Sequence, residues 1–391
     1  MKAVILVGGQ GSRLRPLTCR TPKPMLPLVN QPFIEWMLLR LRDYGIRDVI
    51  LAVQYLADRF RTALGDGSRL GMNVHIVEEP EPRGTAGAVK HVEHMLDGTT
   101  FVFNGDVMTD LDLQAMLDFH RERGSKVTIS LTPVDDPTQF GLVETERDGR
   151  VRRFLEKPRA EDITTNLVNA GTYLIEPEIF RYVPPNQFYM FERGLFPVVL
   201  QTGDPMYGFP SRAYWTDIGK PQTYLDVHHD ILIGKVQYHF RGQQIGERVW
   251  LEGEAEIHSS AQIVGPVVTG HGLGAGHGLL AQPLSARAAR LVLNARSKVW
   301  SCGMGIRLKR AVHSVTVCWG TTIGLASDPT LLTALSSVMS VRLVRKTGLN
   351  AASVSGRVPP WVTGQFRSER LSDPWVGPKD YPHELQFTAK D

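Results

Sequence analysis

Cysteine is almost missing from this chain. Three occur in 391 residues, at Cys19, Cys302 and Cys318. That number and spacing give neither a disulfide framework nor a zinc site. Long hydrophobic runs are also missing. No apolar stretch approaches the roughly twenty residues of a membrane span. The apolar run at the N-terminus is too short for a signal peptide, and no small-residue cleavage site follows it. A cytoplasmic chain with no membrane partner is expected. Acidic residues are absent from Ile257 to Ser327. Residues 1–266 hold 34 acidic and 29 basic side chains, whereas residues 267–391 hold 6 and 15. The length allows two domains and a substantial core.

What is present gathers first in residues 1–27. Lys2 to Val7 (KAVILV) is a short β-branched run, and Gly8-Gly9-Gln10-Gly11-Ser12-Arg13-Leu14 follows at once. The pattern predicts a buried strand leading into a tight loop. Glycines there let backbone N–H groups turn toward an anion, while a plain turn has the same letters. The loop lacks the Gly-Lys-Ser/Thr of a Walker motif, and Leu14 stands where a dinucleotide fingerprint needs its third glycine. Thr21-Pro22-Lys23-Pro24-Met25-Leu26-Pro27 then sets a second cation between prolines.

G-G-x-G-[ST]-R-L, followed about ten residues later by P-K-P-M, resembles the signature of the sugar-1-phosphate nucleotidylyltransferases, also called nucleotide-sugar pyrophosphorylases. Further matching stretches follow in the expected order up to about Val268. Glu79-Pro-Glu-Pro-Arg-Gly84-Thr85-Ala86-Gly87 most resembles the mannose-1-phosphate guanylyltransferase branch. The thymidylyl branch usually has Gly-Leu-Ala at that point.

Periodicity predicts helices over Phe33–Tyr44, Ala57–Leu64, Ala86–Leu96, Phe191–Leu200 (interrupted by Pro197) and Leu225–Leu232. Strands are expected at Asp48–Gln54, Met72–Val77, Thr100–Asn104 and Lys126–Leu131, with a hairpin joining Phe140–Val143 to Val151–Leu155. Such alternation indicates an α/β fold with a Rossmann-like, mostly parallel sheet and ligands at the carboxyl ends of its strands.

The resemblance implies a role for each matching residue. Leu6, Gly8, Gly9, Gly11, Ser12, Arg13, Lys23, Glu79, Gly84, Thr85 and Ala86 would bind the nucleotide. Gly105, Gly141, Glu156, Lys157, Asn169 and Gly171 would bind the sugar phosphate. Asp106, in Gly-Asp at the end of a strand, and Asp217, in W-T-D-I-G-K-P, would hold Mg²⁺. Arg13, Lys23, Asp106 and Asp217 would form the catalytic group. The histidines need no catalytic role, and His91, His94 and His120 read as surface or helix residues.

The implied reaction transfers a nucleotidyl group from an NTP to a sugar 1-phosphate and releases pyrophosphate. GTP with mannose 1-phosphate is the first expectation. Glucose-1-phosphate thymidylyl or uridylyl transfer is the alternative, and a regulatory subunit of the same fold is a third reading. No nucleic-acid partner is expected.

The nucleotidyltransferase domain is expected over 1–235. Residues 236–268 would be a linker and the start of a left-handed parallel β-helix. Leu251, Ile257 and Ile263 open three successive hexads there. At Thr269 the hexads fail, and the stretch to 391 turns basic. One reading is an out-of-frame or disordered tail, which would put a β-helix homo-oligomer in doubt. The other is a divergent basic domain.

Overall fold

The computed structural model describes residues 1–252 and 266–268 with their side chains, and short strands between 255 and 388 by backbone alone. The expected change of character at Thr269 falls outside the residues described in full. Two compact units divide the chain. The first comprises residues 1–14, 20–27 and 31–220; the second comprises 15–19, 28–30 and 221–391.

The first unit is built on a nine-stranded sheet. Its parallel half holds β1 (Lys2–Val7), β2 (Asp48–Val53), β3 (Asn73–Glu78) and β4 (Thr100–Asn104), in the order β4-β1-β2-β3. Lys2 lies opposite both Asp48 and Thr100, so all their carboxyl ends fall at one edge. Helices α1 (Phe33–Asp43), α2 (Ala57–Leu64) and α3 (Gly84–His91) make the connections. β1 is six apolar or half-apolar residues with Ala3, Val4 and Ile5 fully buried. A strand covered on both faces needs such a continuous run rather than alternation.

β5 (Val107–Thr109) follows β4, and α4 (Leu113–Glu122) follows β5. The Asp112 carboxylate caps α4 by accepting the Ala115 N–H at 3.0 Å. β6 (Val127–Pro133), the hairpin β7 (Gly141–Thr145) and β8 (Val151–Glu156), and β9 (Leu167–Ile175) complete the sheet's other half with β10 (Met206–Pro210). β9 runs antiparallel to β4, β6 and β7, and so joins the two halves. The sheet is therefore mixed, with its parallel part where the glycine loop emerges. β11 (Trp215–Asp217) pairs antiparallel with β5 outside the main sheet.

Residues 191–202 form a π-helical turn, Phe191–Leu195, running into α5 (Phe196–Thr202). Pro197 sits in the first turn of α5, where it needs no N–H partner, so it starts the helix rather than interrupting it. Phe191 and Phe196 stack with centroids 5.5 Å apart, and both pack on Tyr173. The helix expected over Ala86–Leu96 is shorter; it begins at Gly84 and gives way to a 3₁₀ turn at Glu93–Met95.

In the second unit α6 (Pro221–Leu232) buries Tyr224, Val227 and Ile231. The Tyr238 hydroxyl donates to the Leu28 carbonyl at 2.7 Å, and Phe240 stacks on Trp250 at 3.8 Å. β12 (Gln243–Gly246) pairs with β13 (Val249–Leu251). Beyond them, parallel pairs repeat at one offset. Val249 lies opposite Val267, Ala255 opposite Leu273, and Gln262 opposite Leu280, each eighteen residues on.

Candidate active site

The carboxyl edge of the parallel strands gathers most of the predicted residues. β1 ends at Val7, and Gly8 follows beside Gln54 and Glu79, the residues directly after β2 and β3. A Cβ on Gly8 would lie 3.4 Å from Gln54 Cβ and 3.8 Å from Glu79 Oε1. Gly9 faces open space, and Gly11 has φ +61°. The Leu14 N–H donates to the Gly11 carbonyl at 2.9 Å, closing the loop into a 3₁₀ turn, Ser12–Leu14. Leu6 contributes backbone: its carbonyl accepts the Gly105 N–H at 2.9 Å. A Cβ on Gly105 would stand 2.6 Å from that carbonyl, so no larger residue fits.

Asp106 follows directly, at the tip of β4. Asp217 ends β11 opposite Val107, and the Ile218 N–H donates to the Asp106 carbonyl at 2.9 Å. This small antiparallel pair brings the two carboxylates to one place. Lys23 lies between them. Its Nζ is 2.8 Å from Asp106 Oδ2 and 3.4 Å from Asp217 Oδ1, with the side chain only 8 % exposed. Arg13 Nη2 reaches Asp217 Oδ2 at 4.0 Å but is 63 % exposed. Burial pushes the Asp217 carboxyl up, Asp106 adds to that, and Lys23 and Arg13 oppose it. Two carboxylate oxygens converging on one cation are a donor set that fits a small divalent metal. Among the described residues no group of three or more His, Cys, Asp or Glu gathers. The pair alone would leave the other coordination positions to water and substrate oxygens.

Glu79 is buried, and its Oε2 accepts the Arg83 N–H at 3.0 Å; burial raises its carboxyl. Gly84 has φ +69°, and a Cβ there would lie 2.7 Å from the Tyr189 carbonyl. The Thr85 hydroxyl does not cap α3. It accepts the Phe191 N–H at 2.9 Å and donates to Glu192 Oε2 at 3.4 Å. Ala86 is fully buried. The Thr85 hydroxyl and the Ala86 side chain are thus turned inward.

Of the residues expected to bind the sugar phosphate, Gly141, Glu156, Asn169 and Gly171 lie on β7, β8 and β9, and Lys157 directly follows β8. Lys157 takes φ +52°, a region costly for a side-chain-bearing residue, while its N–H donates to the Phe140 carbonyl at 2.9 Å. A Cβ on Gly141 would lie 3.1 Å from Glu156 Oε2. Asn169 is clamped: its Oδ1 accepts the Gly171 N–H at 3.0 Å and its Nδ2 donates to the Tyr173 hydroxyl at 2.9 Å. Gly171 has φ +74° and packs against Asn104. Trp215 Nε1–H donates to the Ala170 carbonyl at 2.9 Å, tying β11 to β9.

Three residues that the motifs did not mark share this region. Tyr173 is fully buried, its hydroxyl pushed well up by burial and by the nearby Glu192 and Glu156 charges. Asn104 hydrogen-bonds it. Burial raises the Glu192 carboxyl, and Glu156 raises it further. The available signal for Glu192 was one acid among the aromatic and aliphatic residues of Phe191-Glu-Arg-Gly-Leu-Phe. His120 lies on α4, one of the two expectations for it, but is buried rather than on the surface, bonded to the Thr128 hydroxyl at 2.8 Å and to Glu176 at 3.1 Å.

A mixed α/β sheet with a glycine loop, two cations and two converging carboxylates at its carboxyl edge defines a protein that handles phosphorylated nucleotides. The Nucleotidyl transferase family model matches residues 2–233, and the chain belongs to that family. Among similar proteins is the mannose-1-phosphate guanylyltransferase of Mycobacterium tuberculosis, 40% identical over 278 residues, which are 71% of this chain and 77% of that protein. The UTP–glucose-1-phosphate uridylyltransferase of Synechocystis is 31% identical over 304 residues, 69% of this chain and 78% of that protein. HddC from Yersinia pseudotuberculosis, solved in complex with GMP-PN, matches with TM-score 0.51 and 29% identity over 59% of this chain and 99% of its own. The protein is a nucleotidyltransferase. No helix among the described residues is long and apolar enough to cross a membrane.

Proposed function

We propose that this enzyme is a mannose-1-phosphate guanylyltransferase, making GDP-mannose and pyrophosphate from GTP and mannose 1-phosphate. The observation that carries the chemistry is the convergence of Lys23, Asp106 and Asp217 at the tips of β4 and β11. The likeness to the M. tuberculosis enzyme and to HddC with its guanine-nucleotide analogue supports the choice of base.

Two polyanions must meet, so their repulsion is the first obstacle. Arg13 and Lys23 hold the triphosphate beside the Gly8–Ser12 loop. Glu79, Gly84, Thr85 and Ala86 border the base. Lys157 holds the sugar phosphate, while Glu156, Asn169, Gly105, Gly141 and Gly171 shape the sugar's place. Asp106 and Asp217 would hold Mg²⁺, which when bound neutralises charge on the phosphate oxygens. A phosphate oxygen of the sugar phosphate attacks the α-phosphorus in line, and the bond to the β-phosphate oxygen breaks. That nucleophile is already ionised near neutral pH, so no general base is needed. Positioning and electrostatics supply the rate.

The catalytic domain is residues 1–235, a span the family match over 2–233 supports. Residues 236–268 begin a left-handed β-helix. The eighteen-residue offset of its parallel pairs supports this, being three hexads to one coil. The enzyme works in the cytoplasm.

Pyrophosphate release with Mg²⁺, each NTP, and mannose or glucose 1-phosphate tests the reading. Release confined to GTP with mannose 1-phosphate is expected. Release with UTP and glucose 1-phosphate would favour the second reading, which the likeness to the Synechocystis enzyme supports. No release from any pair would overturn the assignment.

A further inference from the structure

The four charges at the strand tips balance without any added ion: Asp106 and Asp217 against Lys23 and Arg13. The two cations are not equivalent. Arg13 is largely exposed and reaches one carboxylate at 4.0 Å, whereas the Lys23 ammonium is buried and touches both. The backbone fixes its root. Pro22 precedes the 3₁₀ turn Lys23–Met25, the Met25 N–H donates to the Pro22 carbonyl at 2.8 Å, and the Leu26 N–H donates to the Lys23 carbonyl at 3.1 Å.

We propose that Lys23 is a built-in counter-ion of the aspartate pair, which keeps free divalent metal out until a nucleotide's polyphosphate draws the ammonium away. This rests on the reading of Asp106 and Asp217 as the metal carboxylates. A divalent ion entering alone either displaces Lys23 from the carboxylates or sits beside its positive charge on their other oxygens. The first leaves a buried ammonium without an anion and the second sets two cations together, and both are costly where water is scarce. A triphosphate changes both sides of the exchange. Its oxygens give Lys23 a new partner, and they complete the coordination that two carboxylates cannot fill. Metal entry is thus ordered, with the nucleotide or after it. The ammonium serves as a placeholder that lets a doubly acidic pocket persist in the free enzyme without self-repulsion.

Mn²⁺ is the probe, and the electron paramagnetic resonance signal of unbound Mn²⁺ is the readout on the full-length protein. Wild type is expected to leave Mn²⁺ largely free when no nucleotide is present. With a non-hydrolysable GTP analogue it should take up Mn²⁺ beyond what the analogue binds alone. Lys23→Met and Lys23→Gln, checked for folding by circular dichroism, should bind free Mn²⁺ at least about tenfold more tightly than wild type. Lys23→Arg should stay near wild type. Adding Asp217→Asn to Lys23→Met should abolish the gain. Micromolar binding of free Mn²⁺ by wild type would overturn the proposal without any variant. Equal affinities of wild type and Lys23→Met would also overturn it. No Mn²⁺ uptake by any of these proteins, with or without the analogue, would remove the metal-carboxylate reading as well. The choice of sugar and base does not enter this readout, so a failed specificity assay leaves its outcome standing.

Discussion

At the scale of single residues, the site depends on opposite charges brought into contact, with a buried Lys23 between two partly exposed carboxylates. Asp217 is the clearest case. It is partly buried, its carboxyl is raised by burial and by Asp106, and it holds one side of Lys23. Asp217→Ala and Asp106→Ala should each lower turnover by at least about a hundredfold with little change in the melting curve. Near-normal turnover in either would show that the metal carboxylates have been misassigned. Lys157 makes a different prediction. Its backbone is held at φ +52°, which aims one particular side chain at cost. Lys157→Ala should raise KM for the sugar phosphate far more than KM for GTP. Equal rises would place that lysine elsewhere in the reaction.

His120 belongs to stability rather than chemistry. It is 2 % exposed, and burial lowers its imidazole despite the hydrogen bond to Glu176. A histidine lowered in the folded state binds fewer protons there than in the unfolded chain. Its contribution is therefore intact above the unfolded value of about 6.5 and is lost as pH falls through that value toward the folded one. Thermal midpoints measured between about pH 7 and pH 5 should fall less in His120→Gln than in wild type. Parallel curves would show that this histidine carries no part of the acid sensitivity.

At the scale of elements, close backbone approach matters more than propensity. Gly84 opens α3 at φ +69°, with the Tyr189 carbonyl only 2.7 Å from where a Cβ would stand. Gly87 is crowded in the same way by the Gln187 carbonyl at 2.6 Å. These glycines let the 187–191 segment lie on the start of α3, where the Thr85 hydroxyl fastens it. Gly84→Ala should cost about 1–3 kcal/mol in urea unfolding, because both the dihedral and the contact are violated. A change within error would mean the segment moves aside freely. The π-turn at Phe191–Leu195 belongs to the same assembly, since it carries Glu192 toward Thr85. Such turns occur disproportionately at functional sites.

Some elements were plain in the sequence. β1, β4 and α2 have the bounds their patterns predict, because continuous burial or a helical period marks them locally. Others were not assigned. α4 had its signal in Asp112 before Leu113, Met116 and Leu117. β9 was masked by Asn169-Ala-Gly171, where the positive φ of Gly171 breaks the strand's period and shifts its register against β6. Nothing in β9 itself states that it runs antiparallel between β4 and β6.

At the scale of the whole molecule, the predicted site residues all lie in the first compact unit, residues 1–14, 20–27 and 31–220. A chain ending at residue 252 should therefore keep pyrophosphate release with GTP and mannose 1-phosphate. Loss of release from a folded 1–252 chain would assign the later residues a part in turnover.

The sequence by itself determined the strand–glycine loop, the alternation that makes an α/β sheet, and the ordered motifs that carry the family resemblance. Each of these is written in neighbouring residues, through period, turn chemistry and spacing. Only the tertiary structure decided which charges meet. Lys23 lies 83 residues from Asp106 and 194 from Asp217 yet bonds both, and β5 pairing with β11 brings the two carboxylates together. It also decided that the Thr85 hydroxyl turns inward, that Glu192 and Tyr173 lie near Glu156 and Asn169, and that His120 is buried. Contacts across such separations depend on how the strands order and pack, and no local pattern specifies that.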